Sequence, residues 1–98
     1  MKICIAGKNE IAINALKYLY QKLGFNKKDI LVCTNKNDTG KDTWQPSLLK
    51  FSKQNKINVV GLSDLYQYED FFLISLEFDK ILNPSLFKTT NLFNIHFS

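Results

Sequence analysis

The chain has 98 residues, 45 % of them hydrophobic, with eight Phe, four Tyr and one Trp, which excludes a disordered polypeptide and points to one packed core. An open sheet with helices on both faces normally needs more chain than this, so the expectation is one small domain or a part of one. The net charge of +4 rests on thirteen Lys and no Arg; base-edge and bidentate phosphate readout use the Arg fork, so the charge argues for a lysine-solvated surface and against a nucleic-acid partner.

No apolar run approaches the ~18 residues of a membrane span. The start, Met1-Lys2-Ile3-Cys4-Ile5-Ala6-Gly7, lacks a leader pattern, so a cytoplasmic, soluble protein with no membrane partner is expected. Cys4 and Cys33 lie inside apolar runs without the close spacing of a metal site, which predicts buried, reduced thiols.

Lys2 to Ala6 reads as a buried strand ended by Gly7. From Ile11 the period changes: Ala12, Ala15, Leu16, Leu19 and Leu23 recur at helical spacing, with Asn9 as the expected N-cap and Gly24 as the stop. Asp29 to Thr34 is a second buried strand, which makes the first third a βαβ unit with a right-handed crossover. The polar stretch Asn35 to Thr43 reads as a long, mobile loop. Pro46 suits the first turn of a helix carrying Leu48, Leu49 and Phe51 to about Gln54. Ile57 to Gly61 is a short strand, Asp64 to Asp70 a helical turn or loop, and Phe71 to Leu76 a fourth apolar run. Asn83-Pro84-Ser85-Leu86-Phe87 should form a turn and a short helix before the last strand, Leu92 to Phe97. Strands alternating with helices predict an α/β fold with a mainly parallel sheet.

Four places carry candidate chemistry. Gly7-Lys8-Asn9 stands where a dinucleotide fold has three glycines, but two are absent, so NAD and FAD are disfavoured. Lys8 and Asn9 still offer a cation and an amide to an anionic or sugar ligand at a strand's carboxyl end; the plainer reading is a solvated lysine beside a helix cap. Trp44, the sole tryptophan, sits in a polar stretch where its face either stacks on a base or sugar or pins the loop to the body, with Gln45 beside it to supply hydrogen bonds. Leu76 to Leu82 is either an ordinary strand exit or a backbone edge for a flat heterocycle, walled by Phe78 and Ile81. In the last strand Asn94 and His96 share a face, about 6.5 to 7 Å apart at a rise of about 3.3 Å per residue, while Phe93, Ile95 and Phe97 take the other. An amide beside an imidazole suits a reaction that creates an oxyanion and moves a proton near neutral pH, although a lone His is also commonly structural. With one His and no clustered Cys, no metal site is expected.

Asn94-Ile95-His96-Phe97-Ser98 resembles the Asn-x-His signature of the formyltransferases that use N10-formyltetrahydrofolate. The resemblance spans the chain. Met1 to Ile11, Thr43 to Leu49 and Ser75 to Leu82 look closest to the branch acting on nucleotide-linked amino sugars of the dTDP-4-amino-4,6-dideoxyglucose kind, whose products serve lipopolysaccharide or O-antigen biosynthesis. The methionyl-tRNA formyltransferase branch usually has Pro after the His and more Arg; here Phe97 follows and Arg is absent. The resemblance implies a Rossmann-like open sheet, formyl transfer from the folate to a primary amine, and Asn94 and His96 as the catalytic pair. It further implies that Leu76, Glu77, Phe78 and Ile81 line the folate, that Lys8, Asn9, Trp44, Gln45 and Lys80 meet the nucleotide sugar, and that the full-length form is a homodimer. The family's third catalytic residue is an Asp well downstream of the signature, and no residue of this chain matches it. Residues 1–98 are therefore expected to be an incomplete N-terminal part, with a sheet of about five strands, inactive alone and prone to self-association through an exposed last strand. A methionyl-tRNA formyltransferase-like fragment and a non-catalytic α/β ligand-binding module are the alternatives.

Overall fold

In the computed structural model, which describes residues 1–80 and 82–95, the apolar runs become β1 (Lys2–Gly7), β2 (Ile30–Thr34), β3 (Asn58–Val59), β4 (Phe71–Leu76) and β5 (Leu92–Ile95). They form one sheet in the order β3-β2-β1-β4-β5, with every neighbouring pair parallel. The chain first builds outward from β1 to β3 and then returns to place β4 on the other side of β1. The order therefore reverses between β1 and β4, and at such a reversal the connections leave in opposite directions and open a crevice beyond the strands' carboxyl ends. The open Rossmann-like α/β architecture anticipated from the sequence is the one observed.

Alternation along the strands sorts the core onto two faces. Ile3, Ile5, Ile30, Val32 and Leu76 meet Ala12, Ile13 and Leu16 of the first helix, Leu19 just past its end and Leu48 of the second, so α1 (Asn9–Lys17) and α2 (Leu48–Gln54) cover the same face. On the other face Cys4, Ala6, Leu31, Cys33, Phe71 and Leu73 pack against Leu65 and Phe87, which lie in and just after short 3-10 turns at Leu62–Gln67 and Pro84–Leu86.

Several local expectations shift. Lys8, not Asn9, is the N-cap of α1 and makes no side-chain cap bond; Asn9 opens the helix with φ 60°. Tyr18 to Lys22 continues α1 as a π turn, and the end is closed where expected, with Phe25 N–H on the Leu19 carbonyl (3.0 Å) and Gly24 at φ 75°, a region glycine enters without a Cβ penalty. Pro46 precedes the helix, because Ser47 is the N-cap of α2, its Oγ accepting from Lys50 N–H. β3 spans two residues rather than five, and Asp29 belongs to a 3-10 turn capped by Asn26. Ile81, His96 and Phe97 lie outside the described residues.

Candidate functional site

β1 and β4 end side by side, with Gly7 in register with Leu76. A Cβ at Gly7 would collide with the Leu76 carbonyl oxygen, so the glycine is required by close backbone approach rather than by its dihedrals. Each strand then exits through a left-handed residue, Asn9 at φ 60° two residues past Gly7 and Glu77 at φ 53° immediately past Leu76. Asn enters this region readily; Glu does so at a cost of order 1–2 kcal/mol that the surrounding bonds must cover.

Beyond β1 lies a polar cavity of about 300 Å³ lined by Lys8, Asn9, Thr39, Lys41, Trp44 and Gln45, among others. It brings together four of the residues assigned to a nucleotide sugar. Its far wall is the stretch expected to be a mobile loop, and that stretch is tied by hydrogen bonds to the start of α2. The Asp38 carboxylate accepts from Ser47 Oγ (2.6 Å), Leu49 N–H (3.0 Å) and Gly40 N–H (3.1 Å), and Asp42 accepts from Ser47 N–H (2.9 Å). These carboxylates meet the free N–H groups at the start of α2, as a helix start favours. Lys50 adds an exposed ion pair to Asp42 (2.8 Å), and that bond, with the Ser47 N–H, holds the Asp42 carboxyl below its usual range. Trp44 is 89 % exposed, so it does not pin the loop to the body, and its ring face is open. A smaller recess of about 270 Å³ joins Lys8, Asn9 and Gln45 to Glu77.

Beyond β4 and β5 lies a third cavity, of about 410 Å³, walled by Phe78, Leu82, Pro84 and Leu92, with Lys80 and Asn94 among its polar members. Asn94 pairs with Ser75 in the β4–β5 register and follows Leu92 on one face, while Phe93 turns to the other and stacks on Phe72. The alternation expected for the last strand therefore holds through Ile95. Leu76 is buried on the helix-covered face, which leaves only its backbone for a ligand. Lys80 lines the cavity of Phe78 and Asn94, and Glu77 the recess of Lys8 and Gln45, whereas the resemblance groups Lys80 with the nucleotide-sugar residues and Glu77 with the folate residues. Ile81 and His96 were also assigned and lie outside the described residues.

Asn35 carried no signal in the sequence beyond its place in a polar stretch. It is buried, donating from Nδ2 to the Glu77 carbonyl (3.3 Å) and accepting at Oδ1 from Asp79 N–H (3.1 Å). Below it, burial pushes the Cys33 thiol up to about 11, with Lys80 partly opposing, and pushes the Cys4 thiol up as well. Both cysteines are free and buried. Among the described residues no group of three potential ligands could hold a metal, and no helix is long and apolar enough to cross a membrane.

No protein-family model and no curated protein matches the chain. Solved structures do. The sugar 3-N-formyltransferase WlaRD, crystallised with dTDP and 5-N-formyltetrahydrofolate, superposes with a TM-score of 0.93 at 49 % identity over 99 % of this chain. An N-formyltransferase from Helicobacter canadensis, in complex with folinic acid and dTDP-3-aminofucose, superposes at 0.90 with 44 % identity over 96 % of the chain. In each case the chain spans 35 % of the relative's length. The resemblance stated from the Asn-x-His segment and the sheet is thus matched by close structural similarity to sugar N-formyltransferases.

Proposed function

We propose that this chain is a portion of a sugar N-formyltransferase, one that moves a formyl group from N10-formyltetrahydrofolate to the amine of a dTDP-linked amino sugar. The observation that carries the reading is the cavity beyond β4 and β5, in which an amide from the last strand shares one chamber with Phe78 and Lys80 of the β4 exit. Its apolar walls with a few polar groups fit a flat, hydrogen-bonding heterocycle such as a pterin. The separate polar cavity beyond β1, with Lys8, Lys41 and the open Trp44 ring, fits an anionic nucleotide: cations for the diphosphate and an aromatic face for the base or sugar. Similarity at 44–49 % identity to enzymes solved with both kinds of ligand supports the pairing of the two sites.

In this reading the amine attacks the formyl carbon, the new C–N bond forms as the bond to N10 of the folate breaks, and the amine's proton passes to N10. Asn94 donates to the formyl oxygen as it gains negative charge, and His96 relays the proton. Leu76 offers its backbone and Phe78 its ring to the pterin, with Ile81 as a further wall. Lys8, Asn9, Trp44 and Gln45 meet the nucleotide sugar. Lys80 lines the cavity read as the pterin site, and Glu77 the recess beside Lys8 and Gln45. Both relatives are described with 3-amino-sugar chemistry, which favours a 3-amino over a 4-amino acceptor. The product would enter lipopolysaccharide or O-antigen assembly. Each relative being about three times as long supports reading residues 1–98 as the N-terminal part of a catalytic domain that does not turn over alone.

Titration calorimetry tests the reading. The protein should bind dTDP and 5-formyltetrahydrofolate saturably and at once, neither displacing the other. Binding of neither, or displacement of dTDP by formyl-acceptor tRNA, would overturn it.

A further inference from the structure

Asn35 follows the last residue of β2 and is 4 % exposed, so its amide must find partners within the protein. Both ends go to one turn. Nδ2 donates to the carbonyl of Glu77 and Oδ1 accepts from the N–H of Asp79, residues 42 and 44 positions away. Asp79 answers in kind, its carboxylate accepting from Lys36 N–H at 2.7 Å. β2 and β4 are not neighbours in the sheet, since β1 runs between them. The three bonds therefore arch over the end of β1, where Gly7 lets the backbones close up.

The arch fixes a turn that would otherwise relax. Glu77 sits at φ 53°, a conformation that persists only where its surroundings over-determine it. Asn35 holds the carbonyl of that same residue on one side and the N–H of Asp79 on the other. Phe78 is the residue between the two bonded positions, and it walls the cavity that also holds Asn94. With the peptide groups on both sides of Phe78 tied, the direction of its side chain is set from β2.

We infer that Asn35 is a positioning residue, holding the 77–79 turn so that Phe78 forms a fixed wall for the pterin of the formyl donor beside Asn94. The inference rests on the formyltransferase reading. Asparagine is specifically needed, because the turn presents one acceptor and one donor: Asp supplies no donor, and Ala supplies neither group.

The test uses the intact protein and its Asn35→Asp and Asn35→Ala variants, with circular dichroism to establish folding. Dissociation constants for 5-formyltetrahydrofolate and for dTDP are measured separately by calorimetry. Each folded variant is expected to lose at least tenfold in affinity for the folate while dTDP binding stays within about threefold, and the KM for N10-formyltetrahydrofolate to rise more than kcat falls. Asn35→Asp, nearly isosteric, keeps the question open to measurement if Asn35→Ala does not fold. Folate affinity within twofold of the parent, or equal losses for both ligands, overturns the inference and leaves the formyltransferase reading standing. A parent protein that binds neither ligand overturns the reading itself and the inference with it.

Discussion

Ser47 donates its hydroxyl to the Asp38 carboxylate at 2.6 Å across nine residues, and the same carboxylate takes the N–H of Leu49. One acidic side chain thus closes the 38–47 loop and caps α2 together. Replacing Asp38 with Ala leaves these donors to water or unpaired, at a cost of about 1.5–3 kcal/mol for bonds to a charged group. A lower urea midpoint with an unchanged slope, and faster proteolysis between Lys36 and Lys41, are expected. The neighbouring Asp42–Lys50 pair is solvent-exposed on both sides, and such pairs contribute little, so Lys50→Ala should leave the midpoint nearly where it was.

Because Trp44 is the sole tryptophan of these 98 residues and stands 89 % exposed, their tryptophan emission, excited selectively over the four tyrosines, reports one position. The free protein should emit like tryptophan in water and be strongly quenched by acrylamide. If its ring stacks on the nucleotide, dTDP should cut the quenching severalfold and 5-formyltetrahydrofolate should not. Unaltered quenching at saturating dTDP would remove Trp44 from the substrate site.

Gly7→Ala places a methyl group on the Leu76 carbonyl oxygen, a backbone atom that cannot swing away. The β1–β4 spacing must open to admit it, and overpacking of this kind costs about 1–3 kcal/mol. A fall in melting temperature should accompany weaker folate binding, since Glu77 and Phe78 follow Leu76 directly. A variant as stable as the parent would show that the strand ends yield easily.

The Cys33 thiol is raised to about 11 by burial, whereas an unfolded cysteine ionises near 8.5. With the folded value above the unfolded one, the stabilisation is complete below about pH 8.5 and is lost as pH climbs towards 11, because only the unfolded chain releases the proton. Urea midpoints should drop across that interval, and part of the drop should vanish in Cys33→Ala. Alkylation of Cys33 at pH 8 should require unfolding.

If the proposed formyl transfer holds, Asn94→Ala in the intact enzyme should reduce kcat by about 10²–10³, the usual consequence of losing one donor to a developing oxyanion. His96→Ala should do at least as much if it relays the proton. Near-parental turnover in either variant would remove that residue from the chemistry.

The strands β1, β2 and β4 and the end of α1 at Gly24 were legible because hydrophobic period and glycine are local signals. The five residues expected for β3 exceed the two observed, since Ile57, Val59 and Val60 give an apolar run around Asn58 while only Asn58 and Val59 pair. What sequence could not show is which polar side chains fold back over long separations. Asn35 and Asp38 look like ordinary loop residues, yet one ties β2 to the β4 exit and the other orders the Trp44 loop. Lys8, Asn9, Trp44 and Gln45, which only the family resemblance grouped, line one cavity; that Lys80 lines another depends on which way the chain leaves β4, and no local pattern carries that.

On the helix-covered face the sheet is less well roofed beyond β4, where Phe93 and Ile95 remain 51 % and 43 % exposed and Phe72 is stacked against Phe93. That seam is the surface through which self-association is expected. Association through it should strengthen with sulfate or sucrose and dissolve in mild urea, the behaviour of greasy surfaces, whereas contacts made by the thirteen lysines would loosen as salt is added. Purification buffers low in sulfate would then favour dispersed material.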